Sequence, residues 1–266
     1  MYKLQNSIIV AQNDFKVRAK NYGVFVKTYR DPELTLMMLE NLNLSSNLRV
    51  LDVACGQGDG SRHLRAIGAE TFYLDATLEM MVMGIQRGNI EKSLCSVADI
   101  SLGNLPFKDK IFDIVTCRYA FHDVNNQHVV LNELSRIIKC RGQMQIIDMS
   151  HPDPTAVKFY NKLHGWKTLK KYPRETHILS EQEYVNLFKD ENFEVVNKSW
   201  YISKVNTAQW LKEGQIDYNR HEFLKRLIKR EIKKNPTLAQ QFKISCQEDS
   251  LTICFPVLLI CCRKIS

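Results

Sequence analysis

The sequence predicts an α/β protein: a mostly parallel sheet with helices on both faces, followed by a helical cap. Two observations carry that expectation. From Arg49 to Met149, short apolar runs alternate with amphipathic stretches, the pattern of successive strand and helix units. The first run, Val50, Leu51 and Val53, is nearly continuous rather than alternating, as in a strand buried on both faces. It stops at a turn with Gly56, Gly58 and Gly60 before a helix begins at Ser61.

That turn reads V-L-D-V-A-C-G-Q-G-D-G from Val50 to Gly60. A backbone without Cβ lets a ligand approach closely, and the new helix offers unpaired N–H groups and the positive end of its dipole. Such a turn serves NAD, FAD and S-adenosylmethionine alike. A pyrophosphate fingerprint, G-x-G-x-x-G, would place its third glycine where Ser61 stands, with Gly60 displaced by one, and the dinucleotide reading loses ground. The second strand, Glu70 to Leu74, ends at Asp75, whose carboxylate can accept hydrogen bonds from both hydroxyls of a ribose. The third, Leu94 to Ala98, ends at Asp99, an acid suited to an adenine amine.

Further along, Phe112 to Cys117 reads as a fourth strand, and a helix over Gln127 to Lys139 carries Leu131, Leu134, Ile137 and Ile138 on one face. Gly142 fits a C-cap for that helix, and Gln143 to Met149 a fifth strand. Pro152 and Pro154 then break the pattern before an amphipathic helix, Ala156 to Leu169. Ser180 with Glu183 three residues on predicts a capping box. Phe193 to Ile202 and Leu251 to Cys262 read as the last two strands, with a helical insert from Thr207 to Gln241 between them.

At 266 residues and 44% hydrophobic content the chain fits one domain with an added cap. It has no run of 18 apolar residues, and Met1 to Gln12 lacks a secretory pattern, so a cytoplasmic location is expected. Eight cysteines include no C-x-x-C pair and are expected as buried, reduced thiols with no metal site. Cys261 and Cys262, adjacent on a strand, should face opposite sides of the sheet. The net charge of +8 concentrates in Lys158 to Arg174 and Arg220 to Lys234. Such clusters attract phosphate backbones or anionic small molecules, and equally form solvated helix faces.

Leu51 to Gly60, Tyr73 to Met81, Leu105 to His122 and Asn132 to Pro152 resemble, in order, the motifs of class I S-adenosylmethionine-dependent methyltransferases. The branch they resemble is that of ubiquinone and menaquinone biosynthesis methyltransferases, with bacterial relatives whose fourth strand runs into Cys-Arg-Tyr-Ala-x-His. Here that segment is Cys117, Arg118, Tyr119, Ala120, Phe121 and His122. The resemblance implies a Rossmann-like, seven-stranded, mostly parallel sheet with a helical substrate cap, formed by a single domain over residues 1–266. Its implied parts are an N-terminal lid helix at 1–30, a cofactor-binding core at 31–150, cap segments at 151–180 and 203–249, and a final antiparallel strand pair at 193–202 and 251–263.

The implied cofactor is S-adenosyl-L-methionine. Asp52 would reach the methionyl amino group, the backbone from Ala54 through Gly56 to Gly58 would follow the methionine portion, Asp75 with Ala76 would hold the ribose, and Asp99 and Ile100 would flank the adenine. Arg118 would brace the cofactor side or orient a polar substrate. The sulfonium methyl of this fold faces the loop after strand four, so His122 is the candidate catalytic base, with Tyr119, His177 and Tyr22 beside the substrate and Phe25 in the lid. Asp123 stands where these relatives often carry a second histidine, and Asp148 is expected to anchor a loop. The amine-gripping Asp/Asn-Pro-Pro-aromatic motif and the Pro-Cys nucleophile of nucleic-acid methyltransferases are absent from the sequence after strand four. A small-molecule acceptor methylated on oxygen or carbon is therefore favoured. A tRNA or other nucleic-acid methyltransferase using the basic helices, and a non-methylating protein that binds the cofactor, are the alternatives.

Overall fold

A computed structural model describes residues 12–20, 22, 30–167, 175–213, 218–247 and 250–265. Helix α1 (12–20) and α2 (Pro32–Glu40) precede β1 (Arg49–Val53). Alternating units follow: α3 (Ser61–Ala66), β2 (Glu70–Asp75), α4 (Leu78–Gln86), β3 (Cys95–Val97), β4 (Phe112–Arg118), α5 (Gln127–Ile137) and β5 (Ile138–His151). The cap and closing strands are α6 (Pro154–Gly165), β6 (Leu179–Ser180), α7 (Glu181–Asp190), β7 (Phe193–Asn206), α8 (Thr207–Glu213), α9 (Tyr218–Lys234), α10 (Thr237–Gln241), β8 (Ser245–Gln247) and β9 (Ser250–Lys264).

The main sheet runs β3-β2-β1-β4-β5-β9-β7, with β6 and β8 paired at its margins. Its first five strands are parallel, and β9 lies antiparallel between β5 and β7. This is the expected α/β architecture, with helices on both faces. The two sides of the sheet are separate cores. Leu51, Val53, Val115, Leu134 and Ile260 pack on one, and Leu34, Val50, Leu64, Ile114 and Leu259 on the other. Cys262 belongs to the first and Cys261 to the second, as alternation along β9 requires. A third cluster joins the cap to the sheet's end, with Phe159, Tyr160 and Leu163 of α6, Leu224 and Ile228 of α9, and Phe242 and Phe255.

Several sequence expectations are corrected. Helix α5 ends at Ile137, and Gly142 lies inside β5 rather than capping the helix. A Cβ there would meet Asp113 O at 3.0 Å and Lys139 O at 2.9 Å, so Gly142 permits the close backbone approach where β5 carries extra residues opposite Phe112 to Ile114. Among the described residues the helical insert after β7 holds α8, α9 and α10, with Pro236 between the last two. Residues 203–206, assigned to the cap from sequence, continue β7 against β9. Helix α6 starts at Pro154 with Asp153 accepting from Thr155 N and ends at Gly165; Leu169 lies outside the described residues, as does Phe25. The capping box of α7 forms as expected, Ser180 and Glu183 each accepting from the other's backbone N–H. Among the described cysteines Cys140 is exposed, while Cys117, Cys254, Cys261 and Cys262 are buried free thiols.

Candidate active site

The strand order reverses between β1 and β4, and the carboxyl ends at such a reversal open into a crevice. Val53 pairs with Cys117 across that seam, bringing Ala54 and Tyr119 to the same rim. Both adopt left-handed backbone conformations, with φ of 53° and 55°, an arrangement that costs a side-chain-bearing residue energy and recurs at functional sites. The cavity between them measures about 1050 Å³ including its open mouth.

The glycine turn is fixed from the neighbouring strand. Asp75 accepts from Gly56 N at 2.8 Å and from Thr77 N at 2.7 Å. Burial raises its carboxyl above the usual range, and those two hydrogen bonds oppose the shift. Asp52, 5% exposed, is pushed up to about 6 by burial, against the opposing pull of the Ser61 hydroxyl and the Arg118 charge. Thr116 also donates to it at 3.4 Å.

Most residues singled out from sequence meet in this cavity: Asp52, Ala54, Gly56, Asp75, Ala76, Asp99, Ile100, Arg118, Tyr119 and Tyr22 all line it. Three do not. Gly58 turns toward the protein, where an added Cβ would stand 2.6 Å from Ile90. His122 is 3% exposed and lies behind the wall. His177 donates its backbone N–H to His122 O at 2.7 Å, and its Nε2 meets Asn125 Oδ1 at 3.0 Å, away from the cavity. The third glycine has a different task from the first two. A Cβ on Gly60 would lie 3.0 Å from the Arg118 guanidinium, which therefore lies across the turn.

Sequence reasoning missed Gln12, Phe15 and Met80, and noted Asp123 without giving it a role; all four line the cavity. Helix α1 is held over this side by contacts between residues distant in the chain. Gln12 Nε2 donates to Asp99 Oδ2 at 3.2 Å, Lys16 pairs with Glu79 at 2.8 Å, and Gln57 Nε2 donates to Ala19 O at 2.6 Å. Arg30 pairs with Asp59 at 2.9 Å just beyond it. Asp99 also accepts from Ser101 N at 2.9 Å and from the Ser101 hydroxyl.

Behind the β4 end lies a buried polar group. His122 Nδ1 is 2.7 Å from Asp148 Oδ1, its backbone N–H donates to Asp148 Oδ2 at 2.9 Å, and its Nε2 is 3.4 Å from Asp123 Oδ1. The ring of His164 stands edge-on at 4.8 Å. Among the described residues no group of three His, Cys, Asp or Glu is placed to hold a metal ion, and no helix is long and apolar enough to cross a membrane.

Residues 51–146 match a sequence model described as a methyltransferase domain. Over 191 residues the chain is 26% identical to the uncharacterized methyltransferase YcgJ of Bacillus subtilis, covering 71% of this chain and 74% of that one. It is 28% identical over 185 residues to the demethylmenaquinone methyltransferase of Lactiplantibacillus plantarum, covering 60% and 76%. The crystal structure of the Bacillus subtilis YcgJ protein superposes with a TM-score of 0.76 at 22% identity, over 89% of this chain and all of that one. The chain has the Rossmann-like α/β fold, and its matched methyltransferase domain and methyltransferase relatives support an S-adenosylmethionine-dependent methyltransferase.

Proposed function

We propose that the protein transfers a methyl group from S-adenosylmethionine to a small-molecule acceptor, at oxygen or carbon. The observation that carries the cofactor's placement is the row of carboxylates Asp99, Asp75 and Asp52 at the ends of β3, β2 and β1, all lining one cavity. Neighbouring parallel strands lie about 4.8 Å apart, so the row spans a ligand with an adenine, a ribose and an aminoacyl chain in that order. Its reacting end then points toward β4. Gly56 supports the fit, since a Cβ there would crowd Met80 at 3.2 Å on the cavity wall.

When bound, the cofactor supplies an electrophilic methyl on a sulfonium, and displacement there needs alignment, dryness and, for some acceptors, removal of a proton. Asp99 and Ile100 flank the adenine, Asp75 and Ala76 hold the ribose, and Asp52 with the Ala54 to Gly56 backbone holds the aminoacyl end. Gly58 contributes by shaping the turn. Arg118 lies across that turn and supplies a positive charge toward a carboxylate. Tyr22 and Phe15 cover the ligand from the N-terminal side, and Tyr119, Ala120 and Val124 form the acceptor's wall. The Lactiplantibacillus relative is named for a demethylmenaquinone substrate, which supports a small-molecule acceptor here.

Calorimetric titration with S-adenosylmethionine, S-adenosylhomocysteine, NAD and a short RNA tests this reading. Micromolar binding of the two adenosyl ligands alone is expected; no binding of either overturns it. Asp75→Ala should weaken adenosyl binding by about 1–3 kcal/mol, through loss of a charged acceptor, and unchanged affinity removes Asp75 from the ribose.

A further inference from the structure

His122 has a carboxylate at each ring nitrogen. Asp148, wholly buried in β5, accepts from the His122 backbone N–H at 2.9 Å and from Met149 N–H at 2.7 Å, and its Oδ1 lies 2.7 Å from Nδ1. An oxygen pair already accepting from two backbone donors assigns the ring hydrogen to Nδ1. Nε2 is then the atom that exchanges protons, and it faces Asp123 Oδ1 at 3.4 Å. Of these two residues Asp123 lines the cavity, beside Tyr119, Ala120 and Val124, while His122 lies behind it.

We propose that Asp123 is the catalytic residue that takes the acceptor's proton, and that His122, held by Asp148, is a positioning residue that receives the proton from Asp123. This rests on the small-molecule reading above and narrows it. The acceptor is a compound with a phenolic or enolic hydroxyl. The O–H bond breaks heterolytically, its proton passes to an Asp123 oxygen and then to His122 Nε2, and the imidazolium faces the Asp148 carboxylate. The electron pair left on the acceptor forms the new bond to the methyl carbon, from oxygen or from the conjugated carbon, while the pair of the breaking C–S bond stays on sulfur. For carbon methylation His122 first gives up its proton, the ring proton then leaves by the same route, and the acceptor oxygen takes back one proton to restore the hydroxyl, so that the net loss is a single proton. Nothing is oxidised or reduced, and one proton is released to water per turnover.

Groups from several elements face this pair. His164 of α6 meets the His122 ring edge-on at 4.8 Å. Cys117 of β4, Tyr119 after it, Tyr160 of α6 and Tyr184 of α7 all lie within the field of Asp148, and burial pushes each of them up, so they stay protonated near neutrality.

Histidine ring ¹⁵N–¹H correlation spectra test the coupling without any acceptor. The parent and Asp123→Asn are titrated from about pH 5 to about pH 9 with S-adenosylhomocysteine present, the His122 and His164 signals being assigned with His122→Gln and His164→Gln. The Nδ1–H tautomer is expected for His122, with a midpoint lower by about one pH unit or more in Asp123→Asn, because a neighbouring carboxylate favours the imidazolium. An unchanged midpoint overturns the proposal.

Methyl transfer to a panel of phenols and hydroquinones, dihydroxynaphthalene included, is then followed by mass spectrometry. Asp123→Asn is expected to lower kcat by about a hundredfold or more with unaltered S-adenosylhomocysteine affinity, and Asp123→Glu to recover part of the loss. Parent-level kcat in Asp123→Asn overturns the proposal while leaving the methyltransferase reading intact. Failure of the parent to bind S-adenosylhomocysteine refutes that reading itself. A parent that binds it but methylates no member of the panel rejects the hydroxyl acceptor class and the proton route with it.

Discussion

On the proposed placement of the cofactor, Asp52 turns burial into a pH-dependent grip. Its carboxyl is raised to about 6 because the folded chain strips it of water, and Ser61, Arg118 and Thr116 recover only part of that cost. A ligand ammonium binds the ionised form, so affinity should be full above about pH 6 and fall by up to about tenfold per unit below it, about 1.4 kcal/mol each. Asp75 is raised for the same reason, and its contribution has the same sign. Calorimetry of S-adenosylhomocysteine across this window should show the loss, and Asp52→Asn should flatten it; a flat profile in the parent would detach Asp52 from the ammonium. The raised carboxyl also means that the folded state holds this proton more tightly than the unfolded chain does. Without ligand, stability contributed here is present at low pH and is lost as pH rises from the ordinary carboxylate range through about 6. The position of Asp52 was legible because an acid interrupting an apolar strand just before a glycine turn has few other uses. The burial of His122 was not legible, since it depends on Asp148 arriving from β5, 26 residues away, to take its ring N–H.

Elements with local signals were readable, and elements set by distant contacts were not. Apolar runs bounded by turns gave β1, β2 and β4 to within a residue. The capping box at Ser180 was visible because it is a contract between residues three apart. Ser180→Ala removes the side-chain acceptor for the Glu183 N–H, present here at 3.3 Å, and should cost about 1 kcal/mol. Since α7 packs Tyr184, Leu187 and Phe188 into the main core, the loss should appear as a lower global midpoint in chemical denaturation; an unchanged midpoint would show the box to be redundant with tertiary packing. Helix α1 was expected as a lid helix only through the family resemblance, and not from its own pattern. Its place beside the cavity comes from Gln12 reaching Asp99, 87 residues along the chain, and no periodicity within 12–20 encodes that. Gly142 misled for a related reason. A glycine after a helix suits a cap, but here the approach of Asp113 and Lys139 backbone decides its use.

At the scale of the whole molecule, the question is whether the net charge of +8 serves the substrate or only solubility. Helix α9 exposes Arg226, Lys229, Arg230, Lys233 and Lys234. Part of the surrounding charge is already balanced, Lys225 by Glu222 at 3.1 Å and Lys162 by Glu231 at 2.8 Å. Leu224, Leu227 and Ile228 on its inner face join the cap cluster, and among the described residues none that lines the cavity comes from this helix. Exposed charges beyond a Debye length, about 8 Å at physiological salt, are largely screened. Reversing Lys229, Lys233 and Lys234 to Glu should therefore leave S-adenosylhomocysteine affinity and small-molecule turnover within about twofold of the parent at that salt. A nucleic-acid substrate would behave otherwise, because each lost phosphate contact lowers affinity and flattens the dependence of log K on log salt by about 0.9 per contact on a duplex. Titrating the parent and the triple variant with a structured RNA at several salt concentrations separates the two. Weak binding with the same slope in both proteins keeps the cavity as the place where the acceptor is chosen, whereas a slope that falls by about three in the variant would move that choice to α9.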